Sequence, residues 1–227
     1  MKRIAVIVAM QKELKMILPL LDNLQENEIA DYIMYSGELQ GNEIVVMQCG
    51  IGKVNSAIAT MVLLQQFDID LVINTGVAGG ADKQVNVMDV VVGSNIAYHD
   101  VWCGPGTEYG QAHGCPKYFE SDPSYVYMVP DGAGIHKGLI CSGDKFISSI
   151  SEVEKIKSDF PEALAVDMES ASIAQICFYK NVSLLVMRVI SDSPGASNNN
   201  SAQYDDFWEI APRCVFNIVK DLLLRIK

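Results

Sequence analysis

The sequence predicts an α/β fold: one domain over residues 1–227, with a central mixed, largely parallel twisted sheet and helices on both faces. Three observations carry this reading. At 227 residues the chain has the length of one large domain, against roughly 150 residues for a typical one. Its 49% hydrophobic content is enough for a sizeable core, which excludes a disordered or low-complexity chain. Short continuous apolar runs alternate with segments of helical periodicity, the pattern of strands buried between covering helices.

In chain order, Ile4 to Ala9 reads as a strand buried on both faces, and Glu13 to Leu24 as a helix through Leu14, Ile17, Leu18 and Leu21. Pro19 is expected to kink or shorten that helix. Tyr32 to Tyr35 and Ile44 to Met47 form strands of a hairpin around the Gly41-Asn42 turn. From Lys53 to Phe67, Val54, Ala57, Ile58, Met61 and Val62 make a helical stripe, and Leu71 to Asn74 is the next buried strand. Gly76 to Asp82 breaks regular structure. Val87 to Val92 is a strand, followed by a long irregular loop from Asn95 to Tyr118; loops of that length are usually functional or disordered. Strands at Gly138 to Cys141 and Ala163 to Val166 flank a helix through Val153 to Ile156. A helix over Ser170 to Tyr179, a strand over Leu184 to Ile190, a polar loop over Pro194 to Ser201 and a terminal helix over Asp205 to Ile226, broken at Pro212, complete the chain.

Seventeen Lys and Arg against 28 Asp and Glu give a net charge of −11, which repels nucleic acid and anionic membranes. The six cysteines form no C-x-x-C pair and read as reduced thiols. The apolar run at the start is too short for a signal-peptide core, and no run reaches the roughly 18 apolar residues of a membrane span. A cytoplasmic protein is expected.

The motifs narrow the chemistry. Gly50-Ile51-Gly52 opens a helix after a strand, but the third glycine of a dinucleotide fingerprint would fall at Asn55. Gly76 to Gly80 lacks the Lys-Ser/Thr end of a phosphate loop, so close ligand contact and a plain turn both stay open there. His99, His113 and His136 fall in no metal-ligand spacing, no G-x-S-x-G elbow is present, and neither a metal nor a cofactor is called for. Acids after strands are the stronger signal. Asp167 and Glu169 follow the strand ending at Val166, Asp192 ends the strand from Leu184, and Glu13 follows the first strand. Three strand ends thus aim acids at one edge, where open α/β sheets bind ligands. Taken singly, each acid is better explained as a helix cap or first-turn acid contributing about 1 kcal/mol.

Eight segments in order, AVIVAMQKEL, CGIGKVNSA, INTGVAGG, YHD, EYGQ, SGDKFI, AVDMES and RVISD, resemble those of the methylthioadenosine/S-adenosylhomocysteine nucleosidases of the purine nucleoside phosphorylase superfamily. The resemblance runs from the first strand to the final helix and implies a nucleoside phosphorylase-like fold. It also implies hydrolysis of the N-glycosidic bond of 5'-methylthioadenosine and S-adenosylhomocysteine, with 5'-deoxyadenosine as a further substrate. As that bond stretches, the ribose becomes cationic and the purine anionic, so an anionic wall and a proton donor both lower the barrier.

By position in its motif, Asp192 protonates adenine, which requires a raised pKa, with Ser191 in support. Glu13 is the base or orienter for the attacking water, and Arg188 places that water or the Glu13 carboxylate. Glu169 binds the ribose hydroxyls with Met168 against the sugar. Phe146 stacks on adenine, and the backbone of Ile147 reads its edge. Ala78 and Gly79 line the base pocket, and Ile51 touches the 5' substituent. The family also implies a homodimer whose 101–113 loop lies near the partner's site. Three departures stand out. Asp167 replaces a common Glu, Val77 replaces a serine that helps hold the water, and the loop VWCGPGTEYGQ is one residue short and lacks an aromatic pair that Trp102 is expected to replace.

Two rivals are a phosphorylase using phosphate as nucleophile and a nucleoside-binding sensor without turnover. Phosphate needs several cationic or backbone donors. Of four arginines, at 3, 188, 213 and 225, only Arg188 falls among the motifs, which favours water. Glu13, Glu169 and Asp192 together argue against a mere sensor, because binding needs neither a proton donor nor a base.

Overall fold

The computed structural model describes residues 1–194, 207 and 217–226. The strands are β1 (Arg3–Val8), β2 (Asp22–Ile29), β3 (Tyr32–Leu39), β4 (Asn42–Gln48), β5 (Leu71–Gly80), β6 (Val90–Tyr98), β7 (Phe119–Glu120), β8 (Ile135–Ser142), β9 (Ala163–Asp167) and β10 (Ser183–Asp192). The helices are α1 (Gln11–Ile17), α2 (Lys53–Gln66), α3 (Pro123–Met128), α4 (Ile150–Asp159), α5 (Ser170–Lys180) and α6 (Asn217–Leu223).

The sheet is mixed and parallel at its centre, where β4, β1, β5 and β10 lie side by side. β1 shows why its residues are apolar throughout: Ile4, Val6 and Val8 enter one core while Ala5 and Ile7 enter the other. β5 is the branching strand. It pairs with β1 near its start, with β10 along its length and with β9 at Gly79 and Gly80, so the pairings through β10, β6, β8 and β9 return to it and close a ring.

Several expectations change. The helix expected to reach Leu24 stops at Ile17, because Pro19 sits in a 3-10 turn over Leu18–Leu20, and the chain then enters β2. Gly76 to Gly80 does not break regular structure but continues β5, held by β10 on one edge and β9 at its end. The strand expected from Val87 starts at Val90 and runs to Tyr98, so Asn95 to Tyr98 belong to it rather than to the loop. The apolar stripe of α2 is not its most buried face. Ser56, Ala59, Thr60 and Leu63 are its buried residues, Ser56 Oγ meets Ser172 Oγ of α5 at 2.7 Å, and Val54 and Ile58 stand exposed. β2, β7 and α3 were not expected. The expected polar loop after Pro194 and most of the range expected as a terminal helix, including Pro212, lie outside the described residues; α6 falls within that range. Among the described residues no helix is long and apolar enough to cross a membrane.

Candidate active site

The C-terminal ends of β1, β5, β9 and β10 converge on one cavity, the place an α/β sheet offers to a ligand. Glu13, Ala78, Gly79, Met168, Glu169, Ser191 and Asp192 line it, and Ile51, Phe146 and Ile147 complete the lining from the segments after β4 and β8. The structure therefore brings together the residues assigned above to catalysis and substrate binding except Arg188, which does not line the cavity, while Trp102 and the rest of the 101–113 loop stay outside it.

Glu13 serves local structure and the cavity at once. As the third residue of α1 it accepts hydrogen bonds at Oε2 from the N–H groups of Ala9 and Met10, each at 2.9 Å, which caps the helix start. Its Oε1 accepts from Val77 N–H at 3.1 Å. A Cβ at Gly76 would overlap this carboxylate, so a side chain there would displace it. Burial raises the Glu13 pKa, while Arg188 and the three backbone N–H groups oppose the rise.

Arg188 lies in the middle of β10, 2% exposed. Its Nε donates to Asp167 Oδ2 at 2.7 Å, and its Nη2 donates to Asn74 Oδ1 at 2.6 Å and Ser170 Oγ at 2.9 Å. Nη1 has no hydrogen-bond partner among the described residues. Asp167 also accepts from the hydroxyls of Ser142 and Ser170. Burial works against the Arg188 charge, yet the Asp167, Glu169 and Glu13 carboxylates hold its pKa above the ordinary value. The departure at position 167 thus supplies a buried ion pair satisfied on several sides, the condition under which such a pair is tolerated.

Glu169 stands at the N-terminal boundary of α5 but makes no side-chain cap; its Oε1 accepts from Gly52 N–H at 2.9 Å, across the cavity edge. Burial and the neighbouring Asp167 push its pKa up to about 7, against the pull of Arg188. Asp192 is 1% exposed, and Ser191 Oγ donates to its Oδ1 at 2.7 Å. Both side chains line the cavity because the β5–β10 register slips between Ile190 and Asp192, an irregularity that re-aims side chains beside a site. No residue of the 101–113 loop lines this cavity, and Trp102 is 60% exposed.

Reasoning from sequence missed Asn74, Ser142 and Ser170, whose role is to hold Arg188 and Asp167. It also missed Ala9 and Met10, which line the cavity and cap Glu13. The latter pair was within reach, since a Glu at the third position of a helix after a strand often bonds back to the preceding N–H groups.

Residues 3–224 match the family model described as the phosphorylase superfamily. The chain is 36% identical over 230 residues to the 5'-methylthioadenosine/S-adenosylhomocysteine nucleosidase of Haemophilus influenzae (strain PittEE), covering 99% of this chain and 100% of the relative. It is 40% identical over 214 residues to the nucleosidase of the same name from Staphylococcus aureus (strain MRSA252), covering 92% and 93%. Among solved structures it is similar to the S. pneumoniae 5'-methylthioadenosine/S-adenosylhomocysteine nucleosidase with the transition-state inhibitor MT-ImmA. The TM-score is 0.94, with 36% identity over 99% of this chain and 100% of that one.

Proposed function

Because the chain belongs to the 5'-methylthioadenosine/S-adenosylhomocysteine nucleosidases within the phosphorylase superfamily, we propose a division of labour among its cavity residues for that family's reaction. The protein hydrolyses the N-glycosidic bond of 5'-methylthioadenosine and S-adenosylhomocysteine, releasing adenine and the thioribose.

Asp192 donates a proton to adenine N7 as the bond between C1' and N9 breaks, so the base leaves neutral. Water forms the new bond to C1', and Glu13 takes its proton. Burial makes Glu13 a stronger base than an exposed carboxylate, and its three backbone bonds fix its orientation. Arg188, with Nη1 free of protein partners among the described residues, places the water or steadies Glu13. Glu169 accepts from the ribose hydroxyls, Met168 packs on the sugar, and Phe146 stacks on adenine with the Ile147 backbone reading its edge. Ala78 and Gly79 form the base pocket, and Ile51 meets the 5' group.

One observation carries water rather than phosphate as nucleophile. The cavity is lined by the carboxyl groups of Glu13, Asp167, Glu169 and Asp192, its lining cation Lys145 is paired with Glu152, and the nearest guanidinium among the described residues is committed to Asp167, which leaves no free cation there for phosphate. A phosphate dianion entering there finds no unpaired cation and meets the Glu13 carboxylate, whereas a cationic ribose is stabilised.

A homodimer fits the outer face of α2, where Val54 and Ile58 are exposed one turn apart, with Ile51 exposed just before them. In it the 101–113 loop reaches the partner's cavity. Cytoplasmic work fits the free thiols of the five described cysteines.

The test is to incubate the protein with methylthioadenosine, adenosylhomocysteine, 5'-deoxyadenosine, adenosine and inosine, with and without phosphate, and follow free base by chromatography. Base release from the adenine nucleosides, indifferent to phosphate, is expected. Release that requires phosphate contradicts the proposal, and so does tight binding without release.

A further inference from the structure

We infer that Lys53, Asp100 and Asp144 form a positioning network that sets the base-stacking loop and the ribose-binding carboxylate in one geometry. The inference rests on the roles given above to Phe146 and Glu169. The three residues come from three segments. Lys53 opens α2, Asp100 follows β6 at the root of the 101–113 loop, and Asp144 lies two residues before Phe146.

Lys53 Nζ donates to both Asp100 oxygens at 2.8 Å, and its backbone N–H donates to Asp144 Oδ1 at 2.7 Å. Asp144 N–H in turn donates to Asp100 Oδ2 at 2.8 Å, closing a triangle. The neighbouring Gly52 N–H donates to Glu169. The first turn of α2 is therefore bonded on one side to the carboxylate beside the stacking ring and on the other to the carboxylate assigned to the ribose.

No helix or strand holds residues 143–149, so bonds at the root of this loop decide where Phe146 stands. Charge-assisted bonds suit that task. The side chains of Lys53 and Asp100 are 21% and 29% exposed and that of Asp144 is 47% exposed, and Lys53 Nζ also lies 5.4 Å from the centre of the Tyr98 ring. Close packing adds to it. A Cβ at Gly143 would overlap the His99 imidazole and approach Asp100 Cγ, so the end of β6 presses directly on the loop root. Burial lowers the His99 pKa and favours its neutral form, leaving the Lys53 ammonium as the cation of this junction.

Glu13 and Asp192 make none of these bonds, which separates affinity from chemistry. In the full-length protein, Asp144→Ala is expected to raise the KM for methylthioadenosine and the Kd for free adenine on the order of tenfold, with kcat within about threefold. Asp144→Asn, which keeps the acceptor for Lys53 N–H, restores most of the adenine affinity, a rescue that a general packing defect would not give. Combined with Phe146→Ala, Asp144→Ala adds little further loss, because it acts through that ring.

The inference is overturned if Asp144→Ala leaves adenine affinity intact while Phe146→Ala weakens it, if the two losses simply multiply, or if Asn rescues no better than Ala. If Phe146→Ala itself leaves adenine affinity intact, the base-site reading fails, and the inference with it. Should Asp144→Ala not fold, Lys53→Met carries the test. It keeps the backbone bond but loses the ammonium, and a rise of roughly threefold in the adenine Kd is expected, with an unchanged Kd overturning the inference.

Discussion

At the floor of the cavity Glu13 and Asp192, and Arg188 behind it, are 1–2% exposed, whereas at its mouth Ile51 and Phe146 are 53% and 46% exposed. The floor is fixed by bonds that fold the chain in any case: Glu13 caps α1, Arg188 ties β10 to Asn74 of β5 and Asp167 of β9, and a register slip turns Asp192 inward. The mouth has exposed apolar side chains on segments without regular structure. The difference assigns turnover to the floor and affinity to the mouth, and each assignment can be broken separately.

The largest effect is expected at the floor. Glu13→Gln keeps the shape and removes the base, so kcat should fall by about 10² to 10⁴ with KM changed little; steady-state kinetics on methylthioadenosine decides. An unchanged kcat would break the floor's half of the comparison.

Glu169 sits between the two regions, and its raised pKa makes a pH prediction. The native state holds its proton up to about pH 7, while the unfolded chain releases it near 4.5. Across that interval the native state binds more protons, so this group's contribution to stability falls as pH rises. Relative to Glu169→Gln, the wild type should lose at most roughly 3 kcal/mol between those pH values, read from urea unfolding at each. A parallel pH dependence in the two proteins would mean that the carboxylate is not strained by its surroundings.

At the mouth, Phe146→Ala should raise KM by roughly tenfold and leave kcat near that of the wild type. A loss confined to kcat would reverse the comparison. The smallest effect is expected at Val77, whose N–H holds Glu13 and whose side chain lines the cavity where the family commonly has a serine. Val77→Ser gives the water one more partner and should raise kcat roughly two- to fivefold.

How far the sequence reveals all this depends on whether a feature is local. Acids after buried strands were legible because an apolar run followed by Glu13, Glu169 or Asp192 is a pattern within a few residues. The ion pair of Asp167 with Arg188 was not, because the partners lie 21 residues apart and meet only through the pairing of separate strands. β2 escaped because DNLQENEI is an edge strand, mostly exposed, and lacks apolar alternation. The packing face of α2 was not legible, because its apolar Val54 and Ile58 stand exposed whereas α5 accepts the small Ser56. These exposed apolar residues are the ones the proposed dimer would cover.

The central claim is that Asp192 is the acid for the leaving base, and leaving-group dependence tests it most directly. Asp192→Asn should be compared with the wild type on methylthioadenosine, whose base needs a proton, and on a 4-nitrophenyl riboside, whose leaving group departs as a stable anion. The account predicts a loss of at least about 10³ in kcat on the first and less than about tenfold on the second. Equal losses on both substrates, or no loss on methylthioadenosine, would contradict it.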